Sequence, residues 1–82
     1  MDERAMIVRH LTQAEAHVVQ GEEHIARQVE TIARLERDHI ADAAQKTARK
    51  LLATFEVSQE SHLKDRARLR AELAEWDHGG LS

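Results

Sequence analysis

The chain has 82 residues, with 12 basic and 15 acidic side chains, six histidines and a net charge of −3 when histidine is neutral. The absence of cysteine excludes disulfide frameworks, thiolate metal sites and cysteine nucleophiles, and two aromatic residues, Phe55 and Trp76, are too few for the stacking platforms that bind single-stranded nucleic acid. Charge is balanced along the chain, so no basic arm emerges for duplex DNA or anionic lipid, and no apolar run reaches membrane-spanning length.

Leu, Ile, Val and Phe make up about 22% of the residues, close to the level of about 20% below which disorder prevails. Periodicity places the chain on the folded side of that line. Residues 10–30 write one heptad three times, HLTQAEA, HVVQGEE and HIARQVE, with a fainter fourth copy in TIARLER. With Leu11, Val18, Ile25 and Ile32 at position a, position d falls on Ile7, Ala14, Gly21, Gln28 and Leu35. Steps of four and three over nearly five heptads form a coiled-coil seam. Gly21 costs roughly 1 kcal/mol against alanine inside a helix, and a close approach by a neighbouring element would explain its presence. A second apolar stripe, Ala5, Val8, Val19, Ala26, Val29, Ala33 and Ile40, runs beside the first. One partner helix covers one seam; two stripes call for two neighbours, as in a bundle.

The phase of the first seam fails near residue 40, where its continuation would fall on Lys46. A new seam reads Ala48, Leu52, Phe55, Gln59, His62, Arg66, Leu69, Leu73 and Trp76. Asp42-Ala-Ala-Gln45 has the spacing of a capping box, with Asp42 as N-cap. The pattern predicts one helical domain over residues 1–82: helix 3–37, turn 38–42, helix 43–77 and a flexible tail 78–82. The rival is one continuous helix, because the turn holds neither glycine nor proline.

A short connection makes the helices antiparallel, with facing residue numbers summing to about 80. Gln59 then lies opposite Gly21, His62 near Val18, Phe55 near Ile25, Leu69 near Leu11, and Trp76 near the first turn. The predicted fold class is therefore all-α, an antiparallel two-helix hairpin seamed by Leu11, Val18, Gly21, Ile25, Ile32, Phe55, Leu69 and Leu73. A hairpin this thin has little core to offset the ordering of its chain. Self-association is expected, most simply a homodimer forming a four-helix bundle.

His10, His17 and His24 form one column at position g, and successive members are two turns, roughly 10 Å, apart. Helix one alone cannot place two of them on one metal ion. His62 is the complement from helix two, so His17, His24 and His62, with Asp65 as an alternative to His24, are the candidate ligands for a divalent transition metal. Without metal, the same imidazoles border a helix interface as hydrogen-bonding groups, or charge between about pH 5 and 7 and act as a proton switch. No resident cofactor is otherwise implied. Ser58, Ser61 and Thr54 lie near His62, but a solvent-bordering helical turn supplies no oxyanion hole or pocket, so no catalytic residue is assigned and a non-enzymatic protein is expected.

The runs RHLTQAEAHVVQGEEHIARQ (9–28) and LLATFEVSQESHLKDRARLRAEL (51–73) resemble a group of short alphaproteobacterial helical-hairpin proteins of no established activity. The likeness covers about half of the chain, in two blocks, and rests on the histidine column with Phe55, Gln59, His62, Asp65 and Arg66. Those proteins carry a glycine-containing turn where this chain has RDHIADAAQK. The resemblance implies a bacterial helical hairpin and transfers no activity. The expected role is a cytoplasmic oligomerisation or protein-interaction module, structural, scaffolding or regulatory. Its partner is itself, with room for an unidentified protein partner and none for nucleic acid or membrane. The alternative is a small histidine-dependent metal-binding or pH-sensing protein.

Overall fold

The computed structural model describes residues 2–79, and these form two helices, α1 (Glu3–Arg37) and α2 (Asp42–Gly79), packed antiparallel against each other. The hairpin measures 62 × 16 × 14 Å. No strand occurs among the described residues, and no helix is long and apolar enough to cross a membrane.

Helix α1 starts where Asp2 turns extended (φ −68°, ψ 132°) and its carboxylate accepts a hydrogen bond of 3.0 Å from the Arg4 amide. An acidic N-cap satisfies one orphan N–H and complements the helix dipole. Arg34 and Arg37 place positive charge in the last turn, where the dipole favours it.

The turn forms without glycine. His39 takes a left-handed conformation at φ 53°, its amide donates to the Glu36 carbonyl at 3.2 Å, and the Ile40 amide donates to the Leu35 carbonyl at 3.0 Å. This pair of bonds is a Schellman cap, in which glycine usually occupies the left-handed position and histidine is one of the residues that tolerates it. The continuous-helix rival is thereby removed. Helix α2 then begins at Asp42, the expected N-cap, one residue before the expected helix start at 43. The Ala41 carbonyl accepts the first helical bonds, from Ala44 (2.9 Å) and Gln45 (3.2 Å). The Gln45 side chain donates back to the Ile40 carbonyl at 2.8 Å, so its amide joins the turn instead of closing a capping box on Asp42. At the far end α2 runs on through His78 to Gly79, past the expected boundary at 77; the rest of the expected tail, 80–82, lies outside the described residues.

Both seams face each other. Ala14, Val18 and Ile32 of α1 and Ala48, Gln59 and Leu69 of α2 are buried, while Leu11, Gly21, Ile25, Leu52, Phe55 and Leu73 are half-buried around them. The α2 seam ends sooner than its periodicity suggests: Trp76 reaches the first turn of α1 but stays 40% exposed in an open cleft with Glu3 and Ile7. There α1 is running out, and no further element among the described residues covers the indole. The register matches the expected sum. Arg4 pairs with Asp77 at 2.7 Å at the open end, and further along the ladder Glu15 meets Arg70 at 3.6 Å and Glu36 meets Arg49 at 2.5 Å.

Candidate functional site

The middle of the hairpin is a polar layer with a close helix contact. Gln59 projects from α2 across Gly21 of α1, is only 7% exposed, and donates from Nε2 to the Val18 carbonyl at 2.8 Å. A Cβ on residue 21 would overlap the Gln59 amide, which accounts for a glycine in the middle of a 35-residue helix. The bond has a counterpart running the other way, nearer the turn: Gln28 of α1 donates from Nε2 to the Ala48 carbonyl of α2 at 2.9 Å. Each helix therefore reaches a side-chain amide into the backbone of the other.

Gln59 is satisfied at one end only. Its Oε1 is buried and has no hydrogen-bond partner among the described residues. A buried acceptor left unpaired is unfavourable by about 1–3 kcal/mol, so its surroundings matter. The Gln59 residue lines a cavity of about 80 Å³ whose wall includes His17, His24, Phe55, Ser58 and His62. The His17 and His62 rings lie 5.2 Å apart, centre to centre, tilted by 42°. His24 packs instead on Phe55, at 5.5 Å and 40°.

All three histidines singled out from the sequence thus line one cavity, but only His17 and His62 are in contact with each other. Among the described residues no group of three or more His, Asp or Glu side chains is placed to hold a metal ion. Asp65, the alternative to His24, borders the next cleft along with His10 and His17 and is engaged by Arg68 at 2.6 Å. Arg68 also holds Glu72 at 2.8 Å. Hydrogen bonding to Asp65 first, and to Glu72 second, raises its pKa further above the physiological range.

Two further charged features lie along the seam, one of them, Arg66, already assigned to it by periodicity and the other, Arg4 with Asp77, missed. Arg66 faces the seam half-buried, and its Nε has no partner among the described residues; the small Ala14 side chain falls opposite it in the register. Arg4 and Asp77 close the open end, where the hydrogen bond from Arg4 lowers the pKa of Asp77. Arg4 and Asp77 obey the same sum of about 80 that aligned the rest of the seam, so the register alone was a sufficient signal for this pair.

No protein-family model matches the chain, and no curated protein or solved structure matches it at a significant level.

Proposed function

We propose that this hairpin is a non-enzymatic self-association module whose partner is a second copy of itself, most simply in a four-helix bundle with a structural, scaffold or regulatory role. The observation that carries this reading is the imbalance between its core and its surface. Five apolar residues are buried, three of them no larger than valine, while Val8, Val19, Val29, Val57, Leu51 and Leu63 are each between 37% and 69% exposed.

Shape supports the same conclusion. The radius of gyration is 18.4 Å, against about 12 Å for a compact chain of this length. A face 62 Å long and 16 Å wide matches the roughly 800 Å² per partner that a standard interface removes from water. On α1 the exposed valines follow the heptad, Val8 and Val29 at position e and Val19 at position b, so they line one side of the hairpin. Leu63 extends that side on α2. A second copy related by a two-fold axis would meet this stripe with its own.

Melting at several protein concentrations tests the proposal, because an assembly that dissociates as it unfolds melts higher when concentrated. The expected result is a midpoint that climbs by several degrees between about 5 and 500 μM. A midpoint independent of concentration over that range overturns the reading. The contact between His17 and His62 supports a second, separate reading, ligand capture by imidazole.

A further inference from the structure

We infer that His17 of α1 and His62 of α2 form a clamp for one divalent transition-metal ion in the cavity that Gln59 also lines. Four observations converge on it. The first is spacing: two imidazoles bound tetrahedrally to one ion through metal–nitrogen bonds of about 2.0–2.1 Å have ring centres about 5 Å apart, and these lie at 5.2 Å. The second is origin: the rings come from different helices, 45 positions apart in sequence, so the hairpin and not local helical spacing brings them together.

The third is the polar layer around them: Gln59, more than nine-tenths buried, lines the same cavity and is held in place by its bond to the Val18 carbonyl. The fourth is room: a cavity of about 80 Å³ accommodates an ion with one or two waters, each of which occupies about 30 Å³ in the liquid.

The donor chemistry selects the ion class. Two imidazoles suit copper, nickel and zinc; magnesium and calcium call for carboxylate and carbonyl oxygen, and the carboxylates that share a cleft with His17, Asp65 and Glu72, are held by Arg68. His24 is left out because its ring packs on Phe55. Two protein ligands leave open coordination positions, so the ion is exchangeable and is not a closed structural centre. A bound ion would tie the helices together at mid-length and stabilise the hairpin. The clamp does not depend on self-association, because its stoichiometry is read per chain whatever the oligomer.

The test is calorimetric titration and thermal melting of the full chain with Zn²⁺, Ni²⁺ or Cu²⁺, and with Mg²⁺ as the hard-cation control, at about pH 7.5. The expected result is saturable binding of one transition-metal ion per chain with no response to Mg²⁺. At about 100 times the dissociation constant, melting should rise by roughly 10 °C or more. His17→Gln and His62→Gln each remove that rise, whereas His24→Gln and His10→Gln keep it. Nitrogen NMR of the wild-type imidazoles makes the result independent of how the variants fold: Zn²⁺ should shift His17 and His62 together. Absence of saturable binding up to millimolar metal overturns the clamp. So does binding that survives both substitutions, needs His24, or shifts His10, His39 or His78 instead.

Discussion

Along one flank of the seam, Glu15 faces Arg70 and Glu36 faces Arg49, with Val8, Val19, Val29 and Leu63 exposed between and beside these pairs. Along the other, His10 and His17 share a cleft with Asp65 and Glu72, and His24 shares a cavity with Ser58. The first flank crosses the helix gap with opposite charges and leaves apolar surface over. The second crosses it with imidazoles and leaves small clefts. Exposed ion pairs add little stability, about 0–1 kcal/mol each, but a ladder of them opposes other registers and orientations. One flank thus sets the alignment and offers a surface to a second copy, while the other presents nitrogen donors with space around them.

Replacing Val8, Val19 and Val29 together with glutamine should have the largest effect on this division. Glutamine keeps the helix propensity, and the lost burial of about 1 kcal/mol per valine, counted on both copies, should weaken dimerisation by about 10,000-fold. The matching replacement of His10, His17 and His24 on the opposite flank should leave the association constant nearly unchanged. Equal losses from both triples, measured by sedimentation, would erase the distinction between the flanks.

Gly21→Ala comes next and probes the layer that both flanks share. Helix propensity alone would make the alanine variant more stable by roughly 1 kcal/mol. Because a Cβ there overlaps the Gln59 amide, the expected outcome is instead a net loss of about 1–2 kcal/mol. Adding Gln59→Ala should recover part of that loss, since the clash disappears. A stabilised Gly21→Ala protein in chemical denaturation would mean that Gln59 does not sit where the register puts it.

The turn contributes to the same alignment. His39 holds a φ of 53°, a conformation unfavourable by roughly 1–2 kcal/mol for a residue with a side chain. His39→Gly should therefore raise stability by about 0.5–1 kcal/mol, seen as a melting increase of a few degrees. A decrease would show that the imidazole makes a contact worth more than the strain.

The smallest effect concerns the open end. Asp77 titrates below the ordinary carboxylate value because Arg4 donates a hydrogen bond to it. A pKa lower in the folded than in the unfolded state gives stability that is complete above the unfolded value of about 3.9 and is lost as pH falls through the lowered folded value. Arg4→Gln should return the Asp77 titration, followed by carboxyl carbon NMR, to the ordinary range and leave the helices intact. An unchanged titration would remove the pair from the account.

Much of this architecture was legible in the residues. The heptads marked the α1 seam position by position, and the break near residue 40 located the turn. The sum rule placed Gln59 over Gly21 and His62 opposite Val18. Hydrophobic periodicity encodes which face of a helix is covered, so these survived the step to three dimensions. What it does not encode is the other side of each contact. Trp76 continued the pattern yet stays exposed because α1 ends. Asp42 had the spacing of a cap, but the Gln45 amide serves the turn. The left-handed His39 was hidden because the sequence lacks the glycine that advertises such a turn. At the candidate site, the histidine column gave the donors, but only packing of side chains decided that His62 would meet His17 and leave His24 to Phe55.

Sedimentation equilibrium of the wild-type chain at micromolar concentration, with chelator present, decides whether the hairpin meets a second copy of itself. The expected result is a helical species of at least twice the 9.3 kDa chain mass. A single chain of 9.3 kDa that is helical and melts cooperatively would contradict it.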